Sequence, residues 1–129
     1  MNGYELARLC SQKSDFDRCK TGCVAIYHGH ILAKGFNSNK TSPLQAYYNK
    51  RRGFDGYSYK SSLHAEMMVI SKIRNLDIDF GQVKLYIWRG TDYPMYCRPC
   101  EACEAAIRDV GIKKVFYTGN NSYIKEIYR

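Results

Sequence analysis

Two short apolar runs, Val83 to Trp88 (VKLYIW) and Lys113 to Thr118 (KKVFYT), are separated by a helical run from Cys100 to Val110. Gly111 ends that run as a C-terminal cap. Strands joined through a helix lie parallel in one sheet, with a right-handed crossover. Upstream, Gly22 to Tyr27 (GCVAIY) and His30 to Phe36 (HILAKGF) flank the tight turn His28-Gly29 and read as a hairpin. Leu63 to Asn75 is helical in pattern, with Leu63, Met67, Ile70 and Arg74 on one side and Ile73 close by. A hairpin followed by helix, strand, helix, strand predicts a mixed α/β sheet with helices packed on it.

The remaining segments are less determined. Tyr4 to Ser14 has a modest helical face of Leu6, Leu9 and Cys10. Ser38 to Ser62 has no clear period and reads as a loop, or as a short helix plus loop; connections of that length are usually functional. Gly90 to Arg98 reads as irregular. Ser122 to Arg129 fits a short strand or a helix. No repeat, low-complexity tract or linker breaks the 129 residues, which we read as one domain.

Hydrophobic residues make up 45% of the chain, enough for a core without disulfide staples. No stretch approaches the length of a membrane span. Met1 to Cys10 lacks an apolar run followed by small residues, so no signal peptide is expected and the cytoplasm is the default location. Six cysteines in that setting point to metal binding or buried free thiols. The net charge of +8 favours phosphate-bearing partners without separating a nucleotide from a polynucleotide.

Two pieces carry chemistry. His64-Ala65-Glu66 opens one predicted helix, and Pro99-Cys100-Glu101-Ala102-Cys103 opens another. Cysteines three apart at a helix start can face one point, and a His from the neighbouring helix completes three zinc ligands. Water can take the fourth tetrahedral position, which a catalytic zinc needs. Helix N-termini favour the thiolates. Glu66 sits two residues after the His, beside that position, as an acceptor for the water's proton. The competing arrangement adds Cys97 to His64, Cys100 and Cys103 as a closed structural site. It leaves Glu66 and Pro99 without a role.

The pairing of H-x-E with P-C-x-x-C resembles the cytidine deaminase-like superfamily, on its branch of deoxycytidylate and tRNA adenosine deaminases. Residues 21–26, 32–37, 85–87 and 111–117 are similar to that family's strands. The resemblance implies a three-layer α/β/α fold with a mixed five-stranded sheet, and a homo-oligomer. It implies zinc on His64, Cys100 and Cys103, with Glu66 as the catalytic proton shuttle. It also implies Asn37 and Ala65 as substrate contacts, Asn37 at the sugar. The chain departs from the branch in Ser38 to Ser62 and Gly90 to Cys97, stretches where the family decides its substrate.

The expected activity is therefore hydrolysis of a cytosine nucleotide, deoxycytidylate first, to the uracil nucleotide and ammonia. The alternatives are deamination of single-stranded DNA or RNA, and a non-catalytic zinc-stapled binding module. Lys40, Lys50, Arg51, Arg52 and Lys60 against Asp55 give Ser38 to Lys60 a net +4 directly after Asn37. Arg98 precedes the Pro-Cys turn. Arg51, Arg52 and Arg98 are thus the expected phosphate contacts. Tyr47, Tyr48, Phe54, Tyr57 and Tyr59 can stack on a base or pack the segment down. A second zinc on Cys19, Cys23 and His28 or His30 is weighed against free thiols and exposed histidines, which we favour.

Overall fold

The structure is a computed structural model, and it describes residues 2–16, 20–51, 62–90 and 93–128, less the side chains of Thr41, Arg51 and Ser62. Its elements run α1 (Gly3–Ser11), β1 (Lys20–Tyr27), β2 (His30–Phe36), β3 (Ser38–Thr41), α2 (Pro43–Arg51), β4 (Ser62–Leu63) and α3 (Ala65–Ile73). After a 3-10 turn at Phe80–Gln82 come β5 (Val83–Gly90), α4 (Glu101–Val110), β6 (Lys114–Gly119) and β7 (Ser122–Ile127). The main sheet has five strands in the order β2-β1-β5-β6-β7. β5 and β6 are parallel across α4, as the helix between them requires. The other neighbours, β1–β2, β1–β5 and β6–β7, are antiparallel, so the sheet is mixed.

Side-chain alternation divides the strands between two faces. Cys23 and Ala25 of β1, and Val83, Leu85 and Ile87 of β5, pack with Met67, Ile70 and Ile73 of α3 and Ala102, Ala106 and Ile107 of α4. Val24 and Trp88, from the opposite face, pack with Ala7 of α1. The layers are α1, the sheet, and α2–α4, the expected α/β/α arrangement. The terminal segment resolves as a strand because its alternating pattern pairs along β6, from Lys114 with Ile127 to Gly119 with Ser122. The aperiodic segment contains α2 and a small two-stranded ribbon, β3–β4. No helix among the described residues is long and apolar enough to cross a membrane.

The first helix differs from its expected face. Leu9 is 47% exposed, whereas Gly3, Ala7, Cys10 and Ser11 are buried. Small residues at positions 3, 7 and 11 form a flat stripe that lets the helix backbone approach the sheet. Gly22 completes the contact: a Cβ there would collide with the Ala7 carbonyl oxygen and the Ser11 nitrogen. Backbone cannot yield as a side-chain tip can. Gly22→Ala should therefore cost about 3 kcal/mol, at the upper range for overpacking. Denaturant unfolding checks it; a loss under about 1 kcal/mol would mean that the helix docks more loosely.

Candidate active site

The helix predicted from Leu63 begins two residues late, at Ala65, and the one predicted from Cys100 begins one residue late, at Glu101; the shift is informative. His64 is the N-cap of α3 and Cys100 the N-cap of α4, each with extended backbone (ψ 153° and 167°). Neither side chain caps its own helix. The side chains turn toward each other instead: His64 Nδ1 lies 3.3 Å from Cys103 Sγ and 3.6 Å from Cys100 Sγ. The three donor atoms lie within 4.8 Å of one another and form the one metal-type cluster of His, Cys, Asp or Glu among the described residues.

The backbone under the histidine is fixed. Its N–H donates to Gln45 Oε1 at 3.0 Å, and Gln45 Nε2 donates to Asn49 Oδ1 at 3.0 Å. Both amides are buried, on successive turns of α2. Gly35 of β2 makes room for the first turn of α3, since a Cβ there would sit 2.7 Å from the Ala65 carbonyl oxygen. At α4, Gly111 ends the helix with φ 101°, the left-handed cap expected.

The electrostatics suit a cation. A hydrogen bond from Cys103 holds the Cys100 thiol down at about 4 against burial, with His64 helping. The same bond, with burial, pushes Cys103 up. The opposite directions describe one shared proton: the pair gives up its first readily, and the second needs a positive charge. For His64, burial opposes protonation, but the bond to Cys100 and the Glu66 carboxylate outweigh it. Glu66 is 6% exposed, and burial raises its carboxyl above the ordinary range. One nitrogen and two sulfurs at two helix starts fit zinc, and three protein donors leave one tetrahedral position open.

A cavity of about 340 Å³ lies beside the cluster, within the size range of small-ligand sites. His64, Ala65, Glu66 and Cys100 form one part of its wall, and Asn37, Thr21, Leu63 and Phe16 another. The Thr21 N–H donates to Asn37 Oδ1 at 2.9 Å, and the Asn37 N–H donates to the Thr21 carbonyl at 3.0 Å, so the asparagine is held in place. Cys97 also touches the cavity but stands outside the donor cluster. Its sulfur lies 3.1 Å from Thr118 Oγ1, and burial pushes its thiol up to about 11.

Of the expected phosphate contacts, Arg98 lines the cavity. Its Nε and Nη2 are engaged by Glu126 (3.1 and 2.9 Å), and Nη2 also by Glu104 at 2.7 Å. Arg52 lies outside the described residues, as do Cys19, Phe54, Tyr57 and Tyr59; Arg51 ends α2. Tyr47 is exposed, and Tyr48 packs inward with its hydroxyl donating to Asp109 at 2.9 Å. Cys23 is a free buried thiol, while His28 and His30 are exposed at the hairpin tip. Three site residues escaped the sequence reading: Gln45, Asn49 and Arg89. The i, i+4 amides in an otherwise aperiodic stretch were a sign of the first two. Arg89 fell between the predicted strand, which ends at Trp88, and the irregular stretch from Gly90.

Fold and donor set together define a class: proteins of the cytidine deaminase-like fold organised around a His-Cys-Cys cluster that could hold a metal. Within that class, residues 2–119 match the family described as the cytidine and deoxycytidylate deaminase zinc-binding region, and this chain belongs to that family. A deoxycytidylate deaminase of Schizosaccharomyces pombe is 25% identical over 118 residues, 88% of this chain and 34% of that protein. The chain thus spans about a third of that relative's length. The dCMP deaminase of cyanophage S-TIM5 is 27% identical in its apo crystal structure, with a TM-score of 0.62 over 89% of this chain and 78% of that one. Its complex with dCMP and dUMP gives 27% and 0.59 over 88% and 76%. A cytidine deaminase from Burkholderia pseudomallei shares the fold at 17% identity, with a TM-score of 0.67 over 97% and 89%.

Proposed function

We propose that this protein is a zinc-dependent deaminase of a free cytosine nucleotide, deoxycytidylate first, releasing the uracil nucleotide and ammonia. The observation that carries it is the open three-donor cluster with a buried glutamate on the same cavity wall. His64, Cys100 and Cys103 would hold the metal. Bound zinc supplies Lewis acidity, which brings the pKa of water near neutrality. Glu66 accepts the proton of the attacking water, which adds its oxygen to C4 of the cytosine ring. Glu66 returns that proton to N3, then takes the proton of the new C4 hydroxyl and passes it to the C4 amine. The C4–N bond breaks, ammonia leaves, and a C4 carbonyl remains. Burial suits this carboxylate to shuttling, since it weakens the preference for the charged form.

Asn37 and Ala65 would orient the nucleotide, and Phe16 and Leu63 give the base an apolar wall. Arg51, Arg52 and Arg98 remain proposed phosphate contacts, Arg98 through the donors its carboxylate partners leave over. The cyanophage enzyme, crystallised with dCMP and dUMP, supports a monophosphate substrate. A cytoplasmic location, where thiols stay reduced, and a homo-oligomeric state belong to the same proposal.

A panel of nucleosides, nucleotides and single-stranded oligonucleotides, scored by ammonia release, tests it. Deoxycytidylate should exceed deoxycytidine in kcat/KM by about tenfold or more, the worth of one charge-assisted hydrogen bond. Oligonucleotides turned over in preference to every monomer would transfer the protein to the polynucleotide class, and no ammonia from any substrate would leave a zinc-stapled binding module.

A further inference from the structure

The cavity wall holds two described guanidinium groups, and they differ in what surrounds them. Arg98 is neutralised: Glu126 and Glu104 bind it, and Tyr117 donates to Glu126 at 2.8 Å. Arg89 is not. It lies near the carboxyl end of β5, paired across the sheet with Thr21, and its position alternates with Leu85 and Ile87 on the face covered by α3 and α4. Its Nε is buried and has no hydrogen-bond partner, and no ion pair joins Arg89 to a carboxylate among the described residues. Glu66, on the same cavity wall, faces His64 and Cys103 instead.

A buried guanidinium nitrogen without a partner is costly, because water's hydrogen bonds are lost and nothing replaces them. Such a group persists where a ligand completes it. The carboxyl end of the parallel pair, next to the N-terminus of the crossover helix, is where sheets of this kind take ligands. The ligand class follows from the charge. Cytosine, ribose and deoxyribose are neutral, so the phosphate is the nucleotide's one anion. Guanidinium matches phosphate geometry with paired N–H donors.

We propose that Arg89 binds the substrate's phosphate and sets the preference for a monophosphate over the nucleoside. This rests on the nucleotide deaminase function above and names the residue that selects within it. Arg98, held by its carboxylates, has fewer donors left for that phosphate than Arg89.

The zinc-loaded wild type, Arg89→Ala and Arg89→Lys are compared in KM and kcat on deoxycytidylate and deoxycytidine. Binding of dUMP and deoxyuridine is measured by calorimetry, and melting temperature alongside. Arg89→Ala should raise KM for the monophosphate about 10–100-fold while deoxycytidine stays within about threefold. It should weaken dUMP and leave deoxyuridine alone. Arg89→Lys, keeping charge without the fork, should fall between. Melting temperature should hold, because the removed nitrogen has no partner in the fold. Equal effects on nucleotide and nucleoside, or a melting temperature many degrees lower, overturn the role of Arg89 while the deaminase stands. A wild type that prefers no monophosphate removes both.

Discussion

Glu66→Gln should bind zinc as the wild type does, melt at the same temperature or higher, and release almost no ammonia. The three parts follow from one buried carboxylate. The proposed metal donors are His64, Cys100 and Cys103, and Glu66 is outside that set. Its side chain is 6% exposed, so the fold bears the cost of holding a carboxylate away from water, and the isosteric amide lifts that cost. The amide can neither take a proton from water nor return one to the ring. General acid–base catalysis contributes about 10²–10⁴-fold, and one group relaying both protons places the loss at the upper end. Ammonia release, zinc stoichiometry and thermal melting read the three parts separately. Activity within tenfold of wild type would mean that another group carries the protons, and lost zinc would mean that Glu66 holds the metal.

What was legible in the sequence was local. Helix starts are marked by short-range signals, so the two motifs could be set on helix N-termini within two residues. That suffices to bring three donors together, because each helix start is rigid. The hairpin and the crossover unit were legible for the same reason, each being defined by its own run of residues. Long-range pairing was hidden. Arg98 read as a phosphate contact because its neighbours in sequence are the expected metal ligands; its bond to Glu126, 28 residues later, depends on the β6–β7 pairing and was not visible there. Arg89 was hidden for the converse reason: what matters is a missing partner, and an unmet hydrogen bond is visible only once the sheet register is known. Leu9 misled because hydrophobicity marks the face a helix can bury, while close backbone contact at Gly22 selected the small residues.

Loss of Cys100 or Cys103 to alanine should empty the metal site, whereas Cys97→Ala should retain one zinc per chain. Sequence spacing alone treats the three cysteines as equivalent, each three residues from the next. The structure separates them by position. Cys100 is an N-cap and Cys103 lies in the first turn of α4, both against His64 Nδ1, while Cys97 precedes the turn and pairs with Thr118 Oγ1 and, at 3.8 Å, the Ile87 carbonyl. A sulfur so engaged, with its thiol at about 11, does not present a thiolate near neutral pH. Removing a protein donor costs more than the roughly 10–100-fold in affinity lost with an outer hydrogen-bond partner, so the Cys100 and Cys103 variants should be isolated without metal. Cys97→Ala loses only a small buried side chain, about 1 kcal/mol. Metal analysis of the purified variants, with unfolding curves, decides between the sites. If Cys97→Ala lost its zinc, four protein ligands would close the coordination sphere, no position would remain for water, and Glu66 would be a buried carboxylate with nothing to deprotonate.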